Sequence, residues 1–418
     1  MKFRSVRGMC DVLPSESEDW AKLESSLVNI VSQYGYQEIR FPLVEMAELF
    51  VRSIGSGTDI VDKEMYLFSD RNGDNLALRP EGTAGCIRAG IEHGLLYHQT
   101  QRWFYYGPMF RHERPQRGRY RQFHQFGVEA FGFGGVEIDI EIMLLAARFW
   151  QELGIKHKLA LRLNSLGDVA TRLRYRQRLV DYLQAHYELL DEDSQRRLLT
   201  NPIRVLDSKN PALKKLIDNA PTILTELDSD SRRHLDKLTA SLELLDIQYQ
   251  VDYTLVRGLD YYNSIVFEWV VKDQAELAQN AVCAGGHYDN LVAELGGEQT
   301  PAIGFAVGLE RLLTLIDRSL SSFPVNVLYL IVLGEAAMIE GLRVAENLRE
   351  IGQTVLMGCS EDNLKTQLKR ADKSSARLAL ILGEEELSEK KIRIKYLREE
   401  REQLLVNIDR LGEFVRDI

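Results

Sequence analysis

The chain is poor in the residues that would make it a disulfide scaffold, a membrane protein or a P-loop nucleotide-binding protein. It has four cysteines in 418 residues, Cys10, Cys86, Cys283 and Cys359, all far apart. They form no CxxC pair and no zinc-spaced His/Cys group, so neither a disulfide framework nor a structural metal is suggested. No apolar run approaches the roughly 20 residues that span a bilayer; LYLIVLG is strand-sized. The opening MKFRSVRGMCDVLP lacks an apolar signal core. With free thiols, this makes a cytoplasmic location the expectation. GxxxxGK[ST] is missing, and Gly132, Gly134 and Gly135 do not spell GxGxxG, so neither P-loop nor Rossmann binding is supported. There is no internal repeat and no low-complexity tract. Excess positive charge is missing too: 52 basic against 62 acidic residues give a net charge of −10. Nucleic acid would then be bound through a local basic patch, not through the whole surface.

What is present begins with Arg111–Arg121, RHERPQRGRYR, five arginines with one acid. Pro115 and Gly118 argue against a helix there, and strand patterns flank it, WFYYGPMF before and YRQFHQFGVEAF after. A basic loop between antiparallel strands suits phosphate. Alternation places Arg121, Phe123, Gln125, Gly127 and Glu129 on one face of the second strand, and Gln122, His124, Phe126, Val128 and Ala130 on the other. The first face aligns a cation, an amide and a carboxylate; the second suits a core.

Elsewhere, Pro14 followed by Ser15–Glu18 resembles a capping box, with Trp20, Leu23, Leu27, Ile30 and Val31 at helical spacing up to Gly35. YQEIRF reads as a strand. MYLFSD and NLALRP flank the hairpin signal Asn72–Gly73. Helices are predicted from Pro80–Thr83 to His93 and near Ile138–Leu153. Strands vanish from about 168 to 245, which reads as a helical insertion. They return in YTLVRGLDYYNSIVFEWVV and AVCAGGHYDNLVAELGG, where Gly285–Gly286 and Gly296–Gly297 read as turns. AIGFAVGLERLLTLI is a strand feeding a helix. Ser319–Pro324 reads as a linker, followed by an alternating α/β module. A short turn at Gly55–Gly57 is also a conceivable phosphate cradle. Arg111, Arg257 and Arg311, each in strand or strand-to-helix context, could converge on a nucleoside triphosphate.

These segments together resemble the class II aminoacyl-tRNA synthetases, and within them the histidyl-tRNA synthetases. FPLVE around Pro42 is similar to motif 1, GPMFRHERPQRGRYRQFHQFGVEAFG to motif 2 and AIGFAVGLERL to motif 3. RPEGT (79–83), LVRGLDYY (255–262) and AGGHYDNL (284–291) resemble the histidine-specific motifs. One departure is His287, where the family usually has Arg; it is expected to be a neutral substitution. The resemblance implies an α+β catalytic domain on an antiparallel sheet at 1–322, with a helical insertion at about 168–245, and an α/β anticodon-binding domain at 323–418. It implies activation of L-histidine by ATP, with Mg²⁺ on the phosphates, and transfer to tRNA(His) by a homodimer built through motif 1.

Residue roles follow from the same resemblance. Arg111, Arg257 and Arg311 would be catalytic and, with Arg121, bind ATP. Glu81, Thr83, Gln125, Glu129, Tyr262 and Tyr288 would hold histidine. Gln116, Arg117 and Arg119 would meet the tRNA acceptor end. Lys365, Lys369, Lys373 and Arg377, one stripe at i, i+4, would face the anticodon arm. No protein metal site is implied. Two alternatives remain: a non-catalytic regulatory subunit of histidine biosynthesis, and a synthetase for another amino acid such as proline or threonine.

Overall fold

The computed structural model describes residues 3–55, 58–116, 118–208, 210–255, 259–273, 281–317, 327–374 and 376–416. Arg117, Arg257, the linker Ser319–Pro324 and most of the Gly55–Gly57 turn lie outside them. The chain divides into two compact units, Met1–Arg318 and Ser319–Ile418. Among the described residues no helix is long and apolar enough to cross a membrane.

The first unit starts with helix α1 (Pro14–Gln33), which buries Leu23, Leu27, Ile30 and Val31 at i, i+4, i+7 and i+8. The expected capping box does not form. Pro14 takes the first helical position, where a missing N–H costs nothing, and Leu13 is the N-cap without a side-chain bond. Gly35, at φ +77°, turns the chain out of the helix. Of YQEIRF only β1 (Gln37–Glu38) is strand, because the chain then leaves the sheet edge toward Pro42. β2 (Val44–Met46), α2 (Ala47–Ile54), β3 (Tyr66–Ser69) and β4 (Asn75–Leu78) follow, with strand order β2-β4-β3. Gly73 at φ +93° makes the expected hairpin between β3 and β4.

Next come α3 (Thr83–Glu92), β5 (Gln101–Phe110), β6 (Gln122–Phe131), α4 (Val136–Glu152) and β7 (Leu159–Ser165). Among the described residues four α-helices, with short 3-10 turns between them, occupy the strandless stretch: α5 (Val169–Ala185), α6 (Glu192–Thr200), α7 (Lys214–Asp218) and α8 (Ser229–Leu244). β8 (Tyr249–Val251), β9 (Asn263–Val271), β10 (Ala281–His287), α9 (Leu291–Glu294), β11 (Ala302–Gly308) and α10 (Leu309–Leu315) complete the unit. Eight strands form one sheet, ordered β1-β5-β6-β11-β10-β9-β7-β8. It is antiparallel except at its outermost pairs, β1 with β5 and β7 with β8.

One sheet face is a continuous apolar core. Phe126, Val128 and Ala130 of β6 meet Phe267, Phe305 and Val307, under α1, α4, α8 and α10. The period-2 pattern therefore turns the alternate residues of β6, Phe123, Gln125 and Glu129, to the opposite face. There Cys86 and Ile87 of α3 and Leu291 and Val292 of α9 cover only part of the sheet. A cleft remains beside them.

The Gly285–Gly286 pair is not a turn. Both glycines lie inside β10, paired with β9 and β11, and a β-bulge follows Gly286. A Cβ on Gly286 would stand 2.5 Å from the carbonyl oxygen of Ile265, so the backbones approach too closely for a side chain.

The second unit holds β12 (Val327–Val332), α11 (Glu335–Glu350), β13 (Thr354–Met357), α12 (Leu364–Lys373), β14 (Leu378–Leu382), α13 (Glu384–Ser388), β15 (Lys391–Tyr396), β16 (Leu404–Asn407) and α14 (Leu411–Arg416). Its sheet runs β13-β12-β14-β15-β16, parallel among the first three strands and antiparallel beyond. Buried Gln367 ties α12 to β12, accepting from the Val332 N–H at 3.2 Å and donating to its carbonyl at 2.8 Å. Lys365, Lys369 and Lys373 lie exposed along α12. Arg377 leaves the expected stripe, because α12 ends at Lys373 and Arg377 sits just before β14.

Candidate active site

The uncovered sheet face in the first unit holds a cleft of about 850 Å³. Glu129 of β6 stands at its floor, 1% exposed. It can lie flat against the sheet because its β11 partner is Gly304; a Cβ at 304 would overlap its Oε2. Three hydroxyls converge on this carboxylate: Thr83 donates at 2.8 Å, Tyr105 at 3.0 Å, and Tyr288 donates to Oε2. A carboxylate has about four acceptor positions, so one remains for an N–H brought by a ligand. Burial lifts the Glu129 pKa to about 8, against the opposing pull of the three hydroxyls.

Glu81 is also buried and pushed upward by burial, while it accepts the N–H groups of Thr83 (2.7 Å) and Ala84 (2.9 Å) at the start of α3. RPEGT thus works first as a helix cap, which aims the Thr83 hydroxyl at Glu129. Gln125, two residues before Gly127 on β6, presents a buried Oε1 with no hydrogen-bond partner among the described residues. In a native structure an unsatisfied buried acceptor invites a functional explanation, and this one lines the cleft. Tyr262 lies in the same wall, with its ring against Tyr261 at 4.7 Å between centroids.

Cations line the other part of the cleft. Arg111, Arg119 and Arg311 all border it. The Nε of Arg111 donates to the Pro80 carbonyl at 2.8 Å, and its guanidinium lies 5.4 Å from the Phe123 ring centre. Arg311 donates through Nε to Gly118 (3.2 Å) and through a terminal nitrogen to Ala281. Burial, and then repulsion from Arg111 and Arg119, bring the Arg311 pKa down to about 10. It stays charged at neutral pH, in an arrangement that an incoming polyanion would relieve. Glu113 takes part of that role within the chain: it pairs with Arg119 and lies 3.9 Å from Arg111.

The remaining expected residues fall elsewhere. Arg121 is not in the cleft wall; it donates from Nε to the Glu113 carbonyl at 3.2 Å and packs beside Gly8. Gln116 sits at the tip of the loop in a two-bond bridge with Arg119. Sequence reasoning missed Tyr105, although its β5 position is opposite Gly127, whose lack of a side chain makes room for the ring. It also missed Glu310 of α10, which accepts the His124 N–H and ring Nδ1 (2.9 Å) and locks α10 onto β6. His287, expected to be a neutral substitution, has a defined place in the structure. It is 5% exposed and hydrogen-bonded to both Asp139 and Asp289.

A family model described as histidyl-tRNA synthetase matches residues 8–312, and one described as anticodon binding domain matches 328–418. An apo histidyl-tRNA synthetase from S. aureus is similar at 32% identity and TM-score 0.83, over 99% of this chain and 100% of that one. A histidyl-tRNA synthetase from Nostoc sp. shares the fold at 21% identity and TM-score 0.70, over 100% and 99%. So does a Bacillus halodurans protein described as an ATP phosphoribosyltransferase regulatory subunit/histidyl-tRNA synthetase, at 20% identity and TM-score 0.68, over 92% and 99%.

Proposed function

Because the chain belongs to the histidyl-tRNA synthetase family, we propose that it is an active histidine–tRNA ligase, forming histidyl-adenylate from L-histidine and ATP and passing the histidyl group to tRNA(His). One observation carries this reading: a buried carboxylate with one acceptor position to spare and the guanidinium groups of Arg111, Arg119 and Arg311 line a single cleft. That pairing fits a substrate with a cationic or N–H-bearing end and a phosphate-bearing partner.

In the proposed reaction the imidazole lies on Glu129, beside Tyr262 and Tyr288. The α-ammonium is received by Gln125, whose Oε1 has no partner among the described residues, near Glu81 and Thr83. The substrate carboxylate then attacks the α-phosphate. Two anions must meet, and Arg111 bridges them; Arg257 faces the α-phosphate from the other side, a role taken from the sequence resemblance. Arg311 holds the γ-phosphate and Arg119 lowers the remaining repulsion. The work is positioning and charge stabilisation, with no covalent enzyme intermediate. Mg²⁺ enters with ATP as part of the substrate, and the carboxylates of Glu113, Glu268 and Glu310 in the cleft wall suit a hard cation.

The tRNA acceptor end would meet the loop tip at Gln116, Arg117 and Arg119, and the anticodon arm the exposed lysines 365, 369 and 373. Leu43, Val44, Met46, Leu67 and Phe68, all exposed around the motif 1 region, support a homodimer through that surface. Retention of Arg111 and Arg311 in one cleft favours catalysis over a regulatory subunit.

ATP–pyrophosphate exchange across a panel of amino acids tests the proposal. Histidine alone should drive exchange. No exchange with histidine would point to the regulatory role, and equal exchange with proline or threonine would show the pocket to be misread. Removing 319–418 should leave exchange within a few fold but cut tRNA charging by roughly 10²-fold or more, the scale of losing several phosphate contacts. Full charging by the shortened chain would refute the anticodon-arm assignment.

A further inference from the structure

Away from the cleft, three side chains from distant parts of the chain point at one spot. Asp139, in the first turn of α4, is fully buried. His234 of α8 places Nε2 3.2 Å from its Oδ2, and His287 at the end of β10 places Nε2 2.9 Å from its Oδ1. One ligand atom from each lies within 4.8 Å of the others. The two imidazole planes stand at 85°, so the rings approach the point from different directions.

We propose that Asp139, His234 and His287 form a binding site for a divalent first-row transition-metal ion, Zn²⁺ foremost. Neutralising one buried carboxylate needs a single imidazolium; two imidazoles that both aim Nε2 at it exceed that need. Two nitrogens and one carboxylate oxygen suit Zn²⁺ and its neighbours and do not suit Mg²⁺ or Ca²⁺. The surroundings match as well. The Nδ1 of His287 lies 3.1 Å from Asp289 Oδ1, and that oxygen also accepts the Ala302 N–H at 2.9 Å. A fixed carboxylate on Nδ1–H leaves Nε2 as the donor atom, the usual support for a metal-bound histidine. As the bond to Nε2 forms, the proton it carries in the metal-free protein leaves to solvent. His234 is 24% exposed and offers the way in, with a water to complete four-coordination.

None of the three residues lines the cleft. The ion would clip α4 and α8 to the end of β10, next to Tyr288, so these are positioning residues.

The test uses the full chain, stripped with a chelator and titrated with Co²⁺ and then Zn²⁺. One equivalent of Co²⁺ should give visible d–d absorption that Zn²⁺ displaces, and Zn²⁺ should raise Tm by several degrees. H234A, changed at a partly exposed position, should fold with a metal-free Tm lowered by the lost hydrogen bond to Asp139 and lose both effects of the metal; H287N should lose the equivalent too. No saturable equivalent in the native chain, or an undiminished one in H234A, would overturn the site. The second result would move the ion to other donors such as the exposed Cys10 or Cys359.

Discussion

Arg111→Gln should lower histidine-dependent ATP–pyrophosphate exchange by roughly 10³-fold or more, chiefly in kcat, the range seen when a charge-stabilising group is removed from a transition state. The side chain is preset: Nε rests on the Pro80 carbonyl and the guanidinium lies over Phe123. It need not reorganise when the carboxylate and the α-phosphate converge. The same charge weighs on the ligand-free protein, since Arg111 is one cause of the depressed Arg311 pKa. The variant should therefore unfold at the same temperature as the native chain or slightly above it. Lost exchange with a preserved Tm assigns the loss to chemistry. A variant that keeps exchange within tenfold would remove Arg111 from the reaction.

Glu129→Gln should raise KM for histidine by roughly 10²-fold or more while leaving KM for ATP within a few fold, because the amide keeps only one accepting oxygen for three hydroxyls and a ligand N–H and turns the other into a donor. Equal effects on both substrates would displace the imidazole pocket from β6. A pH signature accompanies this change. In the folded protein burial lifts the Glu129 pKa to about 8, against 4.5 for a solvent-exposed glutamate, so between those values the folded state holds a proton that the unfolded state has released. Stability is then lost as pH rises through that window, by up to about 1.4 kcal/mol per unit, and the slope disappears below and above it. The Gln variant lacks this slope. Urea unfolding at pH 5, 6, 7 and 8 should show the native chain falling relative to the variant; parallel curves would mean that Glu129 is ionised throughout.

The contrast between β6 and β10 explains what could be read in advance. In β6 the period-2 pattern carries both messages at once: Phe126, Val128 and Ala130 announce the core, and Gln125 and Glu129 inherit the other face. Motif spacing brought Arg111 and Arg311 into the same neighbourhood for similar reasons, since each ends or follows a strand of one sheet. In β10 the paired glycines carry an ambiguous signal. Glycine permits a turn and also permits close approach of backbones, and only the positions of Ile265 and Gly304 decide between them. Tyr105 was hidden because its hydroxyl reaches Glu129 across a space left by Gly127. The Asp139–His234–His287 cluster was hidden because no local spacing connects α4, α8 and β10; it exists only once the sheet is covered.

Gly304 has a consequence for anyone redirecting this pocket. Even a methyl group there would collide with the Glu129 carboxylate. A Cβ at 304 would also stand 2.5 Å from the backbone carbonyl oxygen of Val128, which no change at 129 can relieve. Position 304 is closed to side chains whatever stands at 129, and shortening 129 would open a hole that 304 cannot fill; new amino-acid preferences have to come from other residues of the cleft wall.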